Sequence, residues 1–234
     1  MRKALVVLLV LVVGGLIAAD RIGVRVAQDE IAKQVAAQEG LARKPDVKIH
    51  GFPFLTQAVG GEYDHIEVVI GEYTQQNVTL SGVRVDMRGV RAPLSEIANG
   101  NTANVTARTA TASAVVPYSA IEAEAPKEVE GLAPKGENLE VDLAGAVMGF
   151  QLSGKAVVSL EATDKGIAIA PVSVAPDGGP QIPLALVKRQ LTWMVPVTDL
   201  PVGSKISQIE PTPEGLRVAA TAQNVQLSDL QKAR

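Results

Sequence analysis

The chain contains the stretch Gly51-Phe52-Pro53-Phe54-Leu55-Thr56-Gln57, followed closely by Gly60-Gly61-Glu62-Tyr63-Asp64-His65-Ile66-Glu67-Val68. Only 3 Phe occur in the whole chain, and two of them flank Pro53. Because the Phe-Pro-Phe-Leu run has no polar side chain, it must pack into a core, meet a partner or line an apolar cavity. Downstream, Ile66, Val68 and Ile70 alternate with His65 and Glu67, a pattern typical of a strand with one apolar face. The sequence predicts a phenylalanine-rich turn that leads into a sheet.

Further runs of alternating apolar residues lie downstream, separated by turn residues such as Gly60-Gly61 and Pro213-Glu214-Gly215. They predict strands at residues 47–50, 63–70, 78–88, 104–116, 139–143, 151–160, 166–174, 205–209 and 216–220. Strands in series with short turns favour a long antiparallel meander over βαβ units. Helical spacing from Asp20 to Glu39, with Gly40 as its stop, adds a long N-terminal helix. The predicted class is therefore α+β.

Short capped helices are predicted between the strands. Ser119 with Glu122, and Ser228 with Gln231, have the spacing of a capping box, in which side chains satisfy free backbone donors at the start of a helix. A similar Ser-led turn spans residues 93–97, and a further helix is predicted over residues 183–193, closed by Pro196. Ordinary strand-to-helix corners are the alternative explanation of the Ser-led turns.

The segment from Asn104 to Ala114 is built from small side chains. Thr and Ala alternate there with one charge, Arg108, and no large apolar residue is present. Small residues on both faces of a strand suit either a close approach of backbones or the floor of a cavity. Both interpretations remain open at this point.

The N-terminus has the features of an export signal. Arg2 and Lys3 precede an uncharged run from Ala4 to Ala19, which Asp20 ends. No small-x-small cleavage site follows, and helical spacing continues without a breaker. We therefore expect an uncleaved signal anchor over residues 1–19 that spans the membrane, and a folded domain over residues 20–234 on the extracytoplasmic side. The alternative is a cleaved signal and a secreted product.

Composition narrows the function classes. Hydrophobic residues make up 47% of the 234 residues and charged residues 20%, with a net charge of -3. The chain can therefore bury a substantial core, but it lacks the basic balance that binding to nucleic acid needs. The chain has no Cys, which excludes disulfides, thiolate catalysis and Cys-based zinc sites.

No catalytic constellation is visible. His50 and His65 are the only histidines, and their spacing is not that of metal ligands. Asp64 and His65 are adjacent on a predicted strand, so their side chains point to opposite faces and cannot form a dyad. No nucleophile elbow, P-loop or dinucleotide fingerprint is present. We expect no enzyme activity, no metal and no cofactor.

Large apolar side chains are the remaining candidates for a binding site. These are Phe52, Phe54, Leu55, Met87, Met148, Phe150, Trp193 and Met194. They are either core residues or the lining of a site for an apolar ligand, where Met and aromatic groups are common. The cations that could meet a headgroup at its mouth are Lys48, Arg84, Arg88 and Arg91, with Lys188 and Arg189 as further candidates. Ordinary surface charges are the alternative for all of them.

A family resemblance rests on the Gly51–Gln57 stretch and on Gly61-Glu62-Tyr63-Asp64-His65-Ile66-Glu67-Val68. With the later segments Val116-Pro117-Tyr118-Ser119, 195–201 and 209–216, this pattern resembles the LmeA-like family of actinobacterial cell-envelope proteins. The resemblance implies an exported phospholipid-binding protein; the best-known branch has affinity for phosphatidylinositol-type lipids and supports lipoglycan elongation. It also implies a curved antiparallel sheet with helices, similar to tubular lipid-binding proteins.

The expected function is that of a non-catalytic, extracytoplasmic protein that holds phospholipid acyl chains in an apolar groove. Each buried methylene contributes about 0.8 kcal/mol, so even a modest groove would hold a lipid tail firmly. Such a protein could serve envelope lipid or lipoglycan metabolism, with envelope glycosyltransferases as candidate partners. The alternative is a structural or interaction module of the envelope with no lipid ligand. An enzyme acting on lipid-linked sugars would need paired carboxylates, which the sequence does not show at a telling spacing.

Overall fold

The structure is a computed structural model that describes residues 2–75, 78–93, 96, 103–147, 150–177, 183–197 and 203–232. Its helices are α1 (Arg2–Glu39), α2 (Phe54–Gly60), α3 (Tyr118–Glu122), α4 (Leu184–Val187) and α5 (Leu227–Lys232). Its strands are β1 (Asp46–His50), β2 (Glu62–Gln75), β3 (Val78–Arg91), β4 (Thr106–Val116), β5 (Val129–Lys135), β6 (Asn138–Val147), β7 (Phe150–Thr163), β8 (Gly166–Pro176), β9 (Trp193–Pro196), β10 (Lys205–Thr212) and β11 (Gly215–Gln226).

The strands form two curved antiparallel sheets, which confirms the predicted α+β class. The six-stranded sheet has the order β1-β2-β3-β4-β11-β10, and the five-stranded sheet has the order β5-β6-β7-β8-β9. The predicted meander is therefore divided between two sheets. The next described strands after β9, β10 and β11, belong to the six-stranded sheet, where they pair with each other and β11 lies next to β4.

The chain forms two compact units. The N-terminal unit comprises Met1–Gly71, Arg84–Thr111 and Ala222–Arg234, and the second unit comprises Glu72–Val83 and Ala112–Thr221. The core of the N-terminal unit joins apolar positions of α1 and α2 to the inward faces of the strands: Val24, Ala32, Val47, Ile49, Phe54, Ala58, Tyr63, Ile66, Val68, Val90, Ala92, Val105 and Ala107. The alternation of Val47 and Ile49 with exposed neighbours directs one face of β1 to this core.

The second unit has its own core, drawn mainly from the five-stranded sheet. Its buried residues are Ile121, Leu139, Val141, Leu143, Ala156, Val158, Ile167, Ile169, Val187, Leu191, Trp193 and Leu216. The alternating positions Leu139, Val141 and Leu143 supply one face of β6, as expected for a strand with one side in the core.

Helix α1 is continuous and ends where the sequence predicts. Gly40 follows it with a φ of +62°, a left-handed conformation that suits glycine and stops the helix. The helix is long and apolar enough to cross a membrane, as judged by length and composition. Its large apolar side chains between Leu5 and Ile17 are exposed.

The helix predicted over residues 183–193 is wrong in its extent. Helix α4 ends at Val187, and Trp193 begins strand β9. Strand β9 pairs with β8, with Trp193 opposite Ile169 and Val195 opposite Ile167. Those backbone hydrogen bonds come from a distant strand, so local helical spacing could not reveal them.

The predicted capping boxes are also wrong. Helix α3 begins at Tyr118 with Pro117 at the N-cap position and no side-chain cap, so Ser119 lies inside the helix. Glu122 instead accepts a hydrogen bond from the backbone N–H of Leu132 at 3.0 Å. Helix α5 begins at Leu227, which places Ser228 inside it as well. Most of the third Ser-led turn, residues 93–97, lies outside the described residues.

Candidate functional site

The Gly51–Gln57 stretch forms the connection from β1 to β2 through α2. Gly51 has a φ of +103°, and a Cβ added there would lie 2.6 Å from Gln57 Nε2. Gln57 Nε2 donates to the carbonyl oxygen of His50 at 3.3 Å, and its Oε1 accepts from the backbone N–H of Asp64 at 3.0 Å. Gln57 thus ties the end of β1 to the start of β2, and Gly51 leaves the space for its side chain. The Phe52–Pro53 peptide bond is cis.

The inner face of α2 belongs to the core of the N-terminal unit. Phe54 is only 4% exposed, and its ring centroid lies 6.4 Å from that of Tyr63. Ala58, four residues further on, is buried beside it. Residues four apart share a helix face, so this face accounts for two of the apolar residues of α2.

Asp20 fixes the start of α2 against α1. Its side chain is 3% exposed, and its Oδ1 accepts a hydrogen bond from the backbone N–H of Leu55 at 2.8 Å. Pro53 stands at the N-cap position of α2 and provides no side-chain cap, so the carboxylate of Asp20 takes that role from another helix. Arg21 forms an ion pair with Asp20, which balances the buried charge.

The outer side of the same connection is apolar and exposed. Phe52 is 63% exposed, Leu55 39% and Val59 88%. The guanidinium of Arg21 lies over the ring of Phe52, with its Cζ 5.1 Å from the centroid, a cation–π contact. None of these three side chains is needed to fill the core, so they form a free apolar surface, which we name the α2 patch.

A polar groove of about 430 Å³ lies in the N-terminal unit. Its lining residues are Glu62, Tyr63, Asp64, Gly89, Val90, Arg91, Thr106, Ala107, Arg108 and Asn224. The side chain of Arg108 passes over Gly89, where an added Cβ would lie 3.0 Å from its Nε and Nη2. Gly89 has a φ of +59° and so both permits the local backbone and leaves room for the guanidinium.

The charges of this groove are two cations and two carboxylates. Arg91 Nε donates to Glu62 Oε1 at 3.0 Å. Within the part of the chain that the structure describes, Arg108 has no ion-pair partner. Its exposed guanidinium is therefore available to an anionic group of a ligand.

A second groove of about 600 Å³ joins this site to the end of α2. It is lined by Ala58, Val59, Gly60, Gly61, Glu62, Arg91, Pro93, Asn104 and Thr106. The two grooves share Glu62, Arg91 and Thr106 in their linings, so they adjoin each other. Together their linings offer the guanidinium groups of Arg91 and Arg108 and the exposed side chain of Val59, a combination that suits an amphipathic ligand.

The predicted apolar binding residues fall in different places. Phe52, Phe54, Leu55 and Met87 belong to the N-terminal unit, where Phe54 is core and Met87 packs partly against it. Trp193 is buried in the core of the second unit, and Met194 is 41% exposed. Phe150 begins β7, and Met148 lies outside the described residues. Phe52, Phe54 and Leu55 therefore lie in or next to α2, whereas Trp193 and Met194 lie on β9 of the second unit, Trp193 in its core and Met194 exposed.

All four predicted headgroup cations lie at exposed positions of β1 and β3, and three of them have carboxylate partners. Lys48 Nζ lies 3.2 Å from Asp46 Oδ2, and Arg84 Nη1 lies 2.6 Å from Glu67 Oε1. Arg88 is exposed, and Arg91 is the one of the four that lines the groove. The two further candidates, Lys188 and Arg189, follow α4 in the second unit and are exposed.

The two histidines lie beside these cations. His50 and His65 stack with ring centroids 4.4 Å apart, and His65 Nε2 lies 2.9 Å from Asp86 Oδ1. His65 therefore pairs across the sheet rather than with its neighbour Asp64, as the strand geometry predicts. Across residues 2–75, 78–93 and the other described ranges, no three His, Asp or Glu side chains are grouped so as to hold a metal ion.

Comparison with known families identifies the class of the chain. The model of the LmeA-like phospholipid-binding family matches residues 18–221 of the 234. The chain therefore belongs to the LmeA-like phospholipid-binding family, and the resemblance predicted from the Gly51–Gln57 stretch is confirmed. No curated protein and no solved structure matches it.

Sequence reasoning missed three residues of this site. In the sequence, Asp20 marks only the end of an apolar run, whereas in the structure its carboxylate caps α2. Val59 was not considered, although it stands four residues after Leu55 and thus on the same helix face. Arg108 was noted as the one charge in a small-residue strand; its neighbours Thr106 and Ala107 do line a groove, which supports the cavity interpretation of that strand.

Proposed function

We propose that this protein is a membrane-anchored, extracytoplasmic phospholipid-binding protein that catalyses no reaction. The observation that carries the proposal is the pair of adjoining grooves in a member of a phospholipid-binding family. We assign the groove lined by Arg91 and Arg108 to the headgroup and the part lined by exposed Val59 to the apolar chains. A phospholipid has the same two parts: an anionic phosphate next to apolar chains. Each lining thus meets the part of the lipid that it suits.

The headgroup end is assigned to Arg108 and Arg91. A guanidinium can donate two parallel hydrogen bonds to a phosphate, and such charge-assisted bonds are stronger than neutral ones. Glu62 and Asp64 line the same groove and can accept hydrogen bonds from a hydroxyl or ammonium group of the headgroup. This donor and acceptor set suits a polyol or zwitterionic headgroup better than a bare phosphate.

The acyl chains are proposed to lie along an apolar groove that begins at the exposed side of α2. Phe52 and Leu55 are accessible to a lipid chain as they stand. Met194 is exposed on the second unit, and its proposed contact with a lipid concerns that unit by itself. Phe54, Met87 and Trp193 keep the same proposed role, but a lipid would reach them only after a change in core packing, since they pack in or against the two cores.

Anchoring is proposed to come from residues 1–19 of α1, with the folded part outside the cytoplasm. The apolar helix supports this proposal, and it fits a cleaved signal peptide as well. In the cell envelope such a protein would carry or present lipid in lipid or lipoglycan metabolism, with glycosyltransferases as partners. Cross-linking in cells followed by identification of the captured proteins tests that partnership, and the absence of any glycosyltransferase would contradict it.

The headgroup assignment is tested with Arg91→Gln and Arg108→Gln in the full chain, purified in detergent and titrated with fluorescent phosphatidylinositol. Hydrogen bonds to charged groups contribute about 1.5–3 kcal/mol, so each variant should bind at least about tenfold more weakly. Arg217→Gln is the matched control, because Arg217 is exposed in the second unit and pairs with Glu210. Equal affinity of all three variants would reject the groove. A parent protein that binds no phospholipid would instead favour the interaction module.

A further inference from the structure

The apolar surface of the α2 patch is left unexplained by the fold. Within the Gly51–Gln57 stretch, Gly51, Phe54 and Gln57 each have a structural role, whereas Phe52 and Leu55 point outward. Leu55 and Val59 are four residues apart and so lie on one face of α2. An exposed apolar cluster on a surface of this kind marks a contact with a protein or a membrane.

The α2 patch lies next to the C-terminal end of the apolar part of α1. The hydrogen bond from the backbone N–H of Leu55 to Asp20, at 2.8 Å, holds the patch at the residue where the uncharged run ends. Gly23 of α1 also faces α2, since a Cβ placed there would lie 3.5 Å from Leu55 Cδ2. If residues 4–19 cross a bilayer, the α2 patch is held at the level of its surface.

The basic side chains around the α2 patch suit a position at the surface of a bilayer. Arg21 covers the ring of Phe52 and is itself partly exposed, and Arg25 is exposed one turn further along α1. Aromatic rings and arginines are favoured at the membrane–water interface, where long basic side chains reach the headgroups. Cations close to the surface are also attracted to acidic lipids.

We propose that the α2 patch inserts into the surface of a bilayer that contains acidic phospholipids, beside the point where α1 leaves it. Val59 belongs both to the patch and to the groove of about 600 Å³ that leads to Arg91. Insertion therefore brings the apolar end of the groove to the lipids, which gives a phospholipid a short path between bilayer and protein. This inference rests on the proposed membrane anchoring by α1.

The test uses the absence of Cys in the native chain. Phe52→Cys, Leu55→Cys and Val59→Cys are made singly in the full chain, labelled with an environment-sensitive fluorophore and reconstituted in nanodiscs of equal parts phosphatidylcholine and phosphatidylglycerol. Insertion predicts blue-shifted emission for all three labels and quenching by lipids that carry a doxyl group near the headgroup. Three labels that report water would overturn the proposal.

Arg43→Cys is the control for a site away from the bilayer. Arg43 is exposed and follows the end of α1, and with a rise of 1.5 Å per residue that end lies roughly 30 Å along the helix from Asp20. Its label should report water. If this label were quenched as strongly as the other three, the quenching of those three could not be attributed to insertion of the α2 patch. That result would overturn the proposal.

A second variant separates insertion from mere proximity to the anchor. Phe52→Ser and Leu55→Ser are introduced together, and the label is placed through Val59→Cys. If the patch inserts by its own apolar side chains, this label loses its quenching although α1 still anchors the protein. Retained quenching would contradict insertion. Lipid binding by the groove is measured separately with Arg91→Gln and Arg108→Gln, so a failure of the proposed function and a failure of this inference are distinguishable.

Discussion

Phe52 and Phe54 are neighbours in sequence with opposite environments. Phe54 lies in the core of the N-terminal unit, whereas Phe52 is exposed beneath the guanidinium of Arg21. The proline between them turns the chain so that one ring supports the fold and the other stays at the surface. A sequence pattern that reads as one apolar run therefore contains two different functions.

Replacement of the two rings should separate these functions. Phe54→Ala leaves a cavity beside Tyr63, and we expect the free energy of unfolding to fall by about 3–5 kcal/mol, measured by urea denaturation of the full chain in detergent and followed by circular dichroism. Phe52→Ala should change it by less than about 1 kcal/mol, because only an exposed cation–π contact is lost. Equal losses for both variants would contradict the assigned burial.

The role of Phe54 could be anticipated from sequence, but those of Asp20 and Arg108 could not. Phe54 precedes a run of alternating apolar residues, and this pattern favours burial in a core. The hydrogen bond from Leu55 to Asp20 joins residues 35 positions apart. The room that Gly89 leaves for Arg108 depends on two strands lying side by side. Contacts between distant segments leave no periodic signal.

At the scale of secondary-structure elements, β6 carries an ion-pair network that makes stability depend on pH. Glu140 lies 2.6 Å from Lys135 of β5 and 2.5 Å from Lys155 of β7. The hydrogen bonds from Lys135 and then Lys155 lower the pKa of the Glu140 carboxyl from its ordinary 4.5 to about 2. The ionised form is thus favoured in the folded state.

This network predicts a stability difference confined to a defined pH range. Because the folded pKa is lower than the unfolded one, the contribution of Glu140 is complete above pH 4.5 and is lost as the pH falls toward 2. Glu140→Gln should therefore unfold at a lower temperature than the parent at neutral pH. This difference in unfolding temperature should disappear as the pH falls toward 2.

Glu161→Gln is a suitable control for this prediction. Glu161 is exposed on β7 and takes part in no ion pair within the described ranges. Thermal unfolding at a series of pH values should show no pH-dependent gap for this control. If the difference in unfolding temperature between Glu140→Gln and the parent stayed constant from neutral pH to pH 2, the ion-pair network could not be its source.

Strand positions were largely predictable, but their partners were not. The Val, Ile and Leu alternation of β6, β7 and β8 marks them as strands. Strand β5 was missed, since Gly131 and Pro134 interrupt its pattern and its pairing with β6 supplies the missing order. For β9, local spacing predicts the end of a helix at Trp193, because the pairing of β9 with β8 joins distant segments. The return of β10 and β11 to the first sheet depends on long-range pairing.

At the scale of the whole molecule, the folded part is proposed to lie outside the cytoplasm, and chemical labelling can test this. Arg43→Cys provides a single exposed thiol in a chain without other cysteines. In intact cells of an organism that carries the protein, we expect this thiol to react with a membrane-impermeant maleimide before lysis. The matched control is Lys3→Cys, which lies ahead of the apolar run and should react only after lysis. The reverse pattern would place the folded part in the cytoplasm.

The central claim is that the protein holds a phospholipid, and native mass spectrometry of the full chain tests it most directly. The protein is released from detergent micelles in the gas phase, and the bound lipid is extracted and identified. We predict one or more phospholipids at a stoichiometric ratio, reduced when Arg91 and Arg108 are both replaced by Gln and unchanged in Arg217→Gln. A lipid-free protein that also takes up no added phosphatidylinositol would contradict the account and favour an interaction module of the envelope.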